Sequence, residues 1–292
     1  MSASREVSMQ NLPKAGRWAI YIALAVLFAV ACAFLSQWQF SRNEQRAAQL
    51  ALVAQNHDAD PVPLDELIPP GAELDPGDEW RPVRLEGVYL SDQQLLARNR
   101  AHGGTAAFEV LVPFQLEDGR VVLVDRGWVP PGDSQPNPDV VPSPPEGEVT
   151  VIARLRPGEA RPSSGRSAPE GQVPTINLGL VSAAVDPSIG AALEQSTYGL
   201  MVSEDPPPAT RPTALESPSE DPGPHLSYAI QWILFAIMGF VFIGYVIHTE
   251  RRHRRDESED SEDGAAPQPE LPRRRRDRDA VDEDALIDAA GR

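Results

Sequence analysis

Cysteine is almost missing from this chain. Cys32 is the single one in 292 residues, which excludes an intramolecular disulfide framework, a zinc site built on cysteines and a CxxC redox pair. Positive charge is also in deficit. The 26 basic residues, of which only Lys14 is lysine, face 43 acidic ones for a net charge of −17. That balance excludes a nucleic-acid binder, which needs clustered Lys and Arg to neutralise phosphate. The motifs GxSxG, HExxH, the P-loop, GxGxxG and CxxCH are all absent, and His57 and His102 sit in no nucleophile motif. Nothing in the residues reads as an enzyme.

What is abundant is unevenly placed. There are 30 prolines, about twice the ordinary usage. Charge disappears from Trp18 to Ser41 and again from Leu226 to Ile247. A helix needs roughly 20 such residues to cross the bilayer core, so transmembrane helices are expected at 18–38 and 225–248, the second with its membrane core at 228–248. The first run also admits a signal-peptide reading, because Ala31-Cys32-Ala33 has the small-x-small form, and Cys32 admits lipidation. The run continues past Cys32 through Phe34 and Leu35, beyond an ordinary signal core, which favours a span. Arg5, Lys14 and Arg17 precede the first helix, and Arg251, Arg252, Arg254 and Arg255 follow the second. The positive-inside rule then puts both termini in the cytoplasm and the intervening residues outside the cytoplasmic membrane. Arg42–Pro224 carries 13 basic and 28 acidic residues, a charge of −15.

The expected organisation is a cytoplasmic tail (1–17), the first helix (18–38), an extracytoplasmic domain (39–224), the second helix (225–248) and a disordered charged cytoplasmic tail (249–292). Arg42–Gln55 continues helical, since no Gly or Pro interrupts it. Residues 56–79 read as loop. Strand-like runs occupy 81–90, 94–98, 108–116, 121–129, 149–155 and 198–203, with Asp118-Gly119 marking a hairpin. Residues 177–194 read as a helix broken at Asp186-Pro187. Residues 204–224 hold seven prolines and read as an extended acidic spacer. The fold class is thus a two-helix membrane protein carrying a mainly antiparallel β domain of five to seven strands, barrel-like or sandwich, with one or two helices.

Four islands carry the functional signal. Leu35–Arg42 places Trp38, Gln39 and Arg42 at the end of the first apolar run, which suits either interface anchoring or a binding surface. Trp80 opens a strand that contains Gly87, a residue type that marks a bulge or a close backbone approach. Asp125-Arg126-Gly127-Trp128 closes the hairpin, as a packed corner or a contact surface. His225, Tyr228 and Trp232 lie at i, i+3 and i+7, on one helix face, with Gln231 beside them. His225 there either anchors the helix end or ligates a haem iron.

Together these islands resemble the Surfeit locus protein 1 family, assembly factors of haem-copper cytochrome c oxidase. The matching pieces are Leu-x-x-Trp-Gln-x-x-Arg at 35–42, Gly87-Val88-Tyr89, the 108–114 strand, Asp-Gly-Arg at 118–120, Val-Leu-Val-Asp-Arg-Gly-Trp at 122–128 and His-Leu-x-Tyr-Ala-x-Gln-Trp at 225–232. Ser36 stands where the family often has glycine. The resemblance implies a non-enzymatic protein of the inner membrane that assists insertion of haem a into oxidase subunit I. It implies partnership with subunit I and the haem a synthesis machinery. It makes His225 the transient ligand of the haem iron, with Tyr228 and Trp232 packing on the ring and Arg42 or Arg126 pairing with propionates. Trp38, Gln39, Gly87, Gly127, Trp128 and Gln231 join them as further functional positions. Two alternatives stand beside it: a scaffold that binds oxidase subunits without haem, and an unrelated extracytoplasmic binding or sensor module.

Overall fold

The computed structural model describes residues 14–263. The chain forms two compact units, one of the residues up to Trp38 together with those from Ser227 onward, the other from Gln39 to Leu226.

The first unit is made of helix segments. Helix α1 runs Lys14–Asn56. A second long helix, which begins at His225, ends at Asp263. Both contain stretches long and apolar enough to cross a membrane, within Trp18–Asn56 and His225–His253. Their large apolar side chains, among them Leu27, Phe34, Val241 and Phe242, are exposed, while Cys32, Ser36 and Ala229 are buried. Ser36 Oγ donates to the Ala229 carbonyl at 3.0 Å. A small residue on each helix lets the two backbones approach, and the hydroxyl satisfies itself there. Serine at 36 therefore keeps the smallness that glycine would supply and adds a bond.

The second helix overruns its expected end by fifteen residues. Residues 249–263, expected to be disordered, are helical. The physical reason is local propensity: Glu and Arg dominate the stretch and the first glycine or proline is Gly264. Few apolar residues suggest disorder, but a helix continuing from an anchored one needs no nucleus of its own. The calls on residues 1–13 and 264–292 lie outside the described residues.

The second unit is built on one eight-stranded sheet. Its elements are β1 (Val62–Pro63), α2 (Leu64–Leu67), β2 (Pro82–Tyr89), β3 (Leu95–His102), β4 (Thr105–Leu116), β5 (Val121–Val129), β6 (Glu148–Pro157), β7 (Gln172–Val173), α3 (Leu178–Ala184), α4 (Pro187–Ala192) and β8 (Thr197–Asp205), after which α5 is the helix from His225 to Asp263. The strand order is β1-β2-β6-β8-β5-β4-β3-β7, with β2 also paired to β4. The cycle β2-β6-β8-β5-β4 therefore closes on itself as a five-stranded barrel, in the Greek-key class that includes OB-folds. The hairpin turn forms as its Asp-Gly pair indicates: Gly119 takes φ +86° and Arg120 N donates to Asp118 Oδ1 at 2.9 Å.

Five of the eight strand pairings are antiparallel and three short ones are parallel, so the sheet is mainly antiparallel but mixed, with eight strands where five to seven were expected. β1–β2, β3–β7 and β5–β8 are parallel. The β5–β8 contact arises because the chain leaves β5, makes β6 and two helices, and returns in the same direction. Parallel neighbours require such a long crossover. β1 and β7 have two residues each, too few to show a period.

Two apolar clusters share the sheet. Val83, Leu85, Val110, Val112, Phe114, Val122, Val124, Val151 and Leu155 fill the barrel. Leu95, Leu111, Val121, Leu123, Ile176, Leu178 and Val181 pack on its outer face beneath α3. β5 is covered on both sides, so it reads as a continuous apolar run, whereas β6 is covered on one and alternates.

Candidate functional site

Gly87 sits where β2 changes partners. It faces Val149 of β6 and Leu116 of β4 at once, so it is the seam of the barrel. A Cβ at this position would stand 2.0 Å from the Gln115 carbonyl oxygen. Glycine is required for the seam to close.

The motif Asp125-Arg126-Gly127-Trp128 is spent on the interior. Strand alternation sends Arg126 to the barrel side with Val122 and Val124, and Asp125 to the outer face with Val121 and Leu123. Arg126 is 1% exposed. Its Nε and Nη2 donate to the two Glu204 carboxylate oxygens at 3.1 and 2.7 Å, and Nη1 donates to the Pro142 carbonyl at 2.9 Å. The guanidinium also lies 5.4 Å from the centre of the Tyr89 ring. This corrects the expectation that Arg126 pairs with a propionate: a fork already satisfied by a buried carboxylate cannot leave it without stranding a charge. Burial, reinforced by the nearby Glu204 charge, pushes the Tyr89 phenol above its ordinary range.

Gly127 takes φ +121°, and a Cβ there would stand 2.3 Å from the Thr213 carbonyl oxygen. That approach is made by a strand-like exchange: Trp128 N donates to Thr213 O at 2.8 Å and Thr213 N to Trp128 O at 2.9 Å. Residues 204–224 are therefore not a free extended spacer. Thr213 is stitched to the barrel, and a second stitch follows at 219–221.

Asp125 is fully buried. Its Oδ1 accepts from Gly127 N at 3.0 Å, and Oδ2 has no partner. Burial, then the negative charge of Glu109, raise its carboxyl well above the ordinary carboxylate range. Glu109, 4% exposed, takes His102 Nε2 at 2.8 Å and Arg100 Nε at 2.5 Å. Arg100 also reaches Glu159 at 2.8 Å. Burial opposes ionisation of Glu159, but hydrogen bonds from Thr175 and Arg100 and the charge of Arg100 outweigh it and hold the carboxylate below its usual range. The His102 ring stacks on Trp128 at 5.5 Å with an 8° interplanar angle. This network was not visible in the sequence, because its members come from β3, β4, β5 and the segment after β6. Two bulges, at Ala97/Arg100 and Glu109/Leu111, aim them together.

The remaining feature gathers where α5 begins. Gln39 and His225, expected as functional from separate ends of the chain, are brought together. His225 Nδ1 lies 3.0 Å from Gln39 Oε1. With the amide oxygen as acceptor, Nδ1 carries the hydrogen and Nε2 keeps its lone pair. Two turns along α1, Arg46 donates to the Ser219 carbonyl at 2.8 Å and to the Asp221 carbonyl at 2.9 and 3.0 Å. Asp221 Oδ1 in turn accepts from Gly223 N at 2.8 Å. Gly223, at φ +73°, turns the chain into His225. A Cβ on it would stand in ordinary contact with the ring, 3.6 Å from His225 Cδ2 and 3.8 Å from Nε2. Arg46 escaped the sequence reading because its partners are backbone carbonyls. Arg42 is exposed and lies 3.4 Å from Gln45 Oε1.

Trp38 and Tyr228 are 53% and 47% exposed. Gln231 is exposed and Trp232 half-buried, its ring 5.7 Å from Phe235 in an edge contact. Among the described residues, no group of three or more His, Cys, Asp or Glu is arranged to hold a metal ion. A single imidazole with a free lone pair suits weak ligation of an iron already held in a macrocycle, and does not suit a bare ion.

Residues 26–237 match the SURF1 family. An uncharacterised SURF1-like protein of Mycobacterium tuberculosis is 37% identical over 261 residues, which cover 87% of this chain and 90% of that protein. The cytochrome oxidase assembly protein SHY1 of Saccharomyces cerevisiae is 26% identical over 148 residues, 49% of this chain and 38% of its own length. A SURF1-like protein of Dictyostelium discoideum is 30% identical over 110 residues, covering 36% of this chain and 41% of its own.

Proposed function

This chain belongs to the SURF1 family, and from that premise we propose that it is an assembly factor for a haem-copper cytochrome oxidase, acting by binding rather than by catalysis. The observation that carries the proposal is the family match across 26–237, with a relative that is itself named an oxidase assembly protein. The finer reading is that it carries haem a, as cargo, to oxidase subunit I and receives it from the haem a synthesis machinery. The protein would sit in the cytoplasmic membrane with both termini inside and residues 39–224 outside.

In this reading neutral His225 ligates the haem iron through Nε2. Arg42, exposed on α1, pairs with a propionate in the bidentate way that guanidinium favours. Tyr228 and Trp232 follow on α5 to pack on the ring. One imidazole is a weak hold, and that suits a carrier whose cargo must leave for the stronger ligands of the oxidase.

A scaffold that never holds haem is favoured by a separate observation. The Asp125–Trp128 motif spends its side chains on internal bonds, so what that region offers a partner is a rigid surface. A deletion strain separates the readings. Membranes of the strain are expected to contain subunit I short of haem a in the reduced-minus-oxidised spectrum, restored by wild type and not by His225→Ala. Restoration by His225→Ala would leave the scaffold. An unchanged oxidase, with no second homologue present, would overturn both.

A further inference from the structure

We infer that Gln39 is a positioning residue for His225: its side-chain oxygen fixes the imidazole in the Nδ1–H tautomer and so presents Nε2 as the single ligating atom. The inference rests on the haem-ligand reading of His225 for its purpose, but not for its geometry.

A neutral imidazole has two tautomers, and only the nitrogen without hydrogen can bind a metal. A ligand histidine with no partner on its other nitrogen is free to present either atom and to rotate. Ligand histidines accordingly donate their second N–H to a neighbour, which fixes ring and tautomer and raises the basicity of the ligating nitrogen. Here that neighbour is Gln39, at 3.0 Å. The contact is supported from behind. Gln39 and Arg46 lie seven residues apart, on one face of α1. Arg46 grips the Ser219 and Asp221 carbonyls, and the Asp221 side chain closes the turn onto Gly223. Residues 219–225 are thus drawn against the same helix face that carries Gln39. The imidazole reaches its acceptor because the strap leads it there. Gly223 completes the arrangement, since its positive φ turns the chain into His225.

A carboxamide is a mild choice of acceptor. A carboxylate at this position would draw the Nδ1 hydrogen more strongly and make Nε2 a stronger ligand. Glutamine fixes the tautomer without that increase, which matches a site that must release its cargo.

The test uses the full chain in detergent micelles, with 15N-histidine labelling and His225→Ala to assign the signal. At pH 8.5, where a free imidazole is neutral, His225 should show a protonated Nδ1 and an unprotonated Nε2. Gln39→Leu should move it mainly to the opposite tautomer, and Gln39→Glu should keep the wild-type one. Titration with haem a should then show Gln39→Leu weakened by about 10- to 100-fold, with Gln39→Glu binding at least as tightly as wild type. A wild-type His225 protonated on Nε2, or a tautomer indifferent to Gln39→Leu, overturns the inference. So does equal haem a affinity in wild type and Gln39→Leu. If the tautomer follows Gln39 while wild type takes up no haem a, the positioning stands and the haem reading of His225 falls.

Discussion

Asp125 shows how much of this domain is decided by single buried groups. Its folded carboxyl titrates above the unfolded one, so between the two values the folded state holds more protons than the unfolded state. Stability must then fall as pH rises from the ordinary carboxylate value, near 4, towards the raised one. Asn keeps the acceptor for Gly127 N and cannot ionise. Asp125→Asn is therefore expected to remove that decline, so that its thermal midpoint exceeds wild type by a margin that grows with pH over this window. A constant offset at all pH values would show that Asp125 does not carry the effect. Glu159 works in the opposite sense. Its stabilisation is present above the usual carboxylate range and is lost as pH falls through its lowered value. Arg126 belongs to the same scale: the sequence marked the position, but its partner Glu204 is 78 residues away, and no local pattern announces such a pair.

At the scale of elements, the barrel seam is the feature with the sharpest consequence. Gly87→Ala places a methyl 2.0 Å from a backbone carbonyl, and neither strand can yield without losing ladder bonds. A loss of about 3 kcal/mol is expected, the upper part of the overpacking range, read as a lowered urea midpoint. Gly119→Ala meets nothing within 4 Å and is opposed only by its left-handed backbone, at about 1 kcal/mol. Equal losses in the two variants would deny the seam its role. The barrel strands and the hairpin were legible because each has a period, a length and flanking turn residues. The parallel β5–β8 contact was not, since direction is set by a crossover of some seventy residues rather than by either strand. The stitch between Trp128 and Thr213 was hidden for a related reason: proline-rich sequence reads as spacer, yet Thr213, unlike the prolines near it, has both an N–H and a carbonyl to give to a strand. At the candidate site, His225 and Gln39 were visible as members of two islands, and only the fold shows that they touch.

For the molecule as a whole, charge sets the expectation. The basic residues before the first apolar run and the arginines after the second predict that the barrel lies outside the cytoplasmic membrane. In a Cys32→Ser background, a membrane-impermeant maleimide added to intact cells should label a cysteine at Thr210. A cysteine at Ala266 should label only after lysis. The reverse pattern would invert the topology.

The order in which the barrel is joined has a bearing on how the protein is made. β8 is the last strand, yet it lies between β5 and β6, and it brings the carboxylate that neutralises Arg126. A ribosome that has released everything through β6 has produced a sheet with a gap in its middle and an uncompensated cation facing it. Closure at such long sequence separation is slow, and the open gap is a place for foreign strands to add. The barrel is complete only once Thr197–Asp205 has been added, so its closure and the neutralisation of Arg126 arrive together and late in the chain.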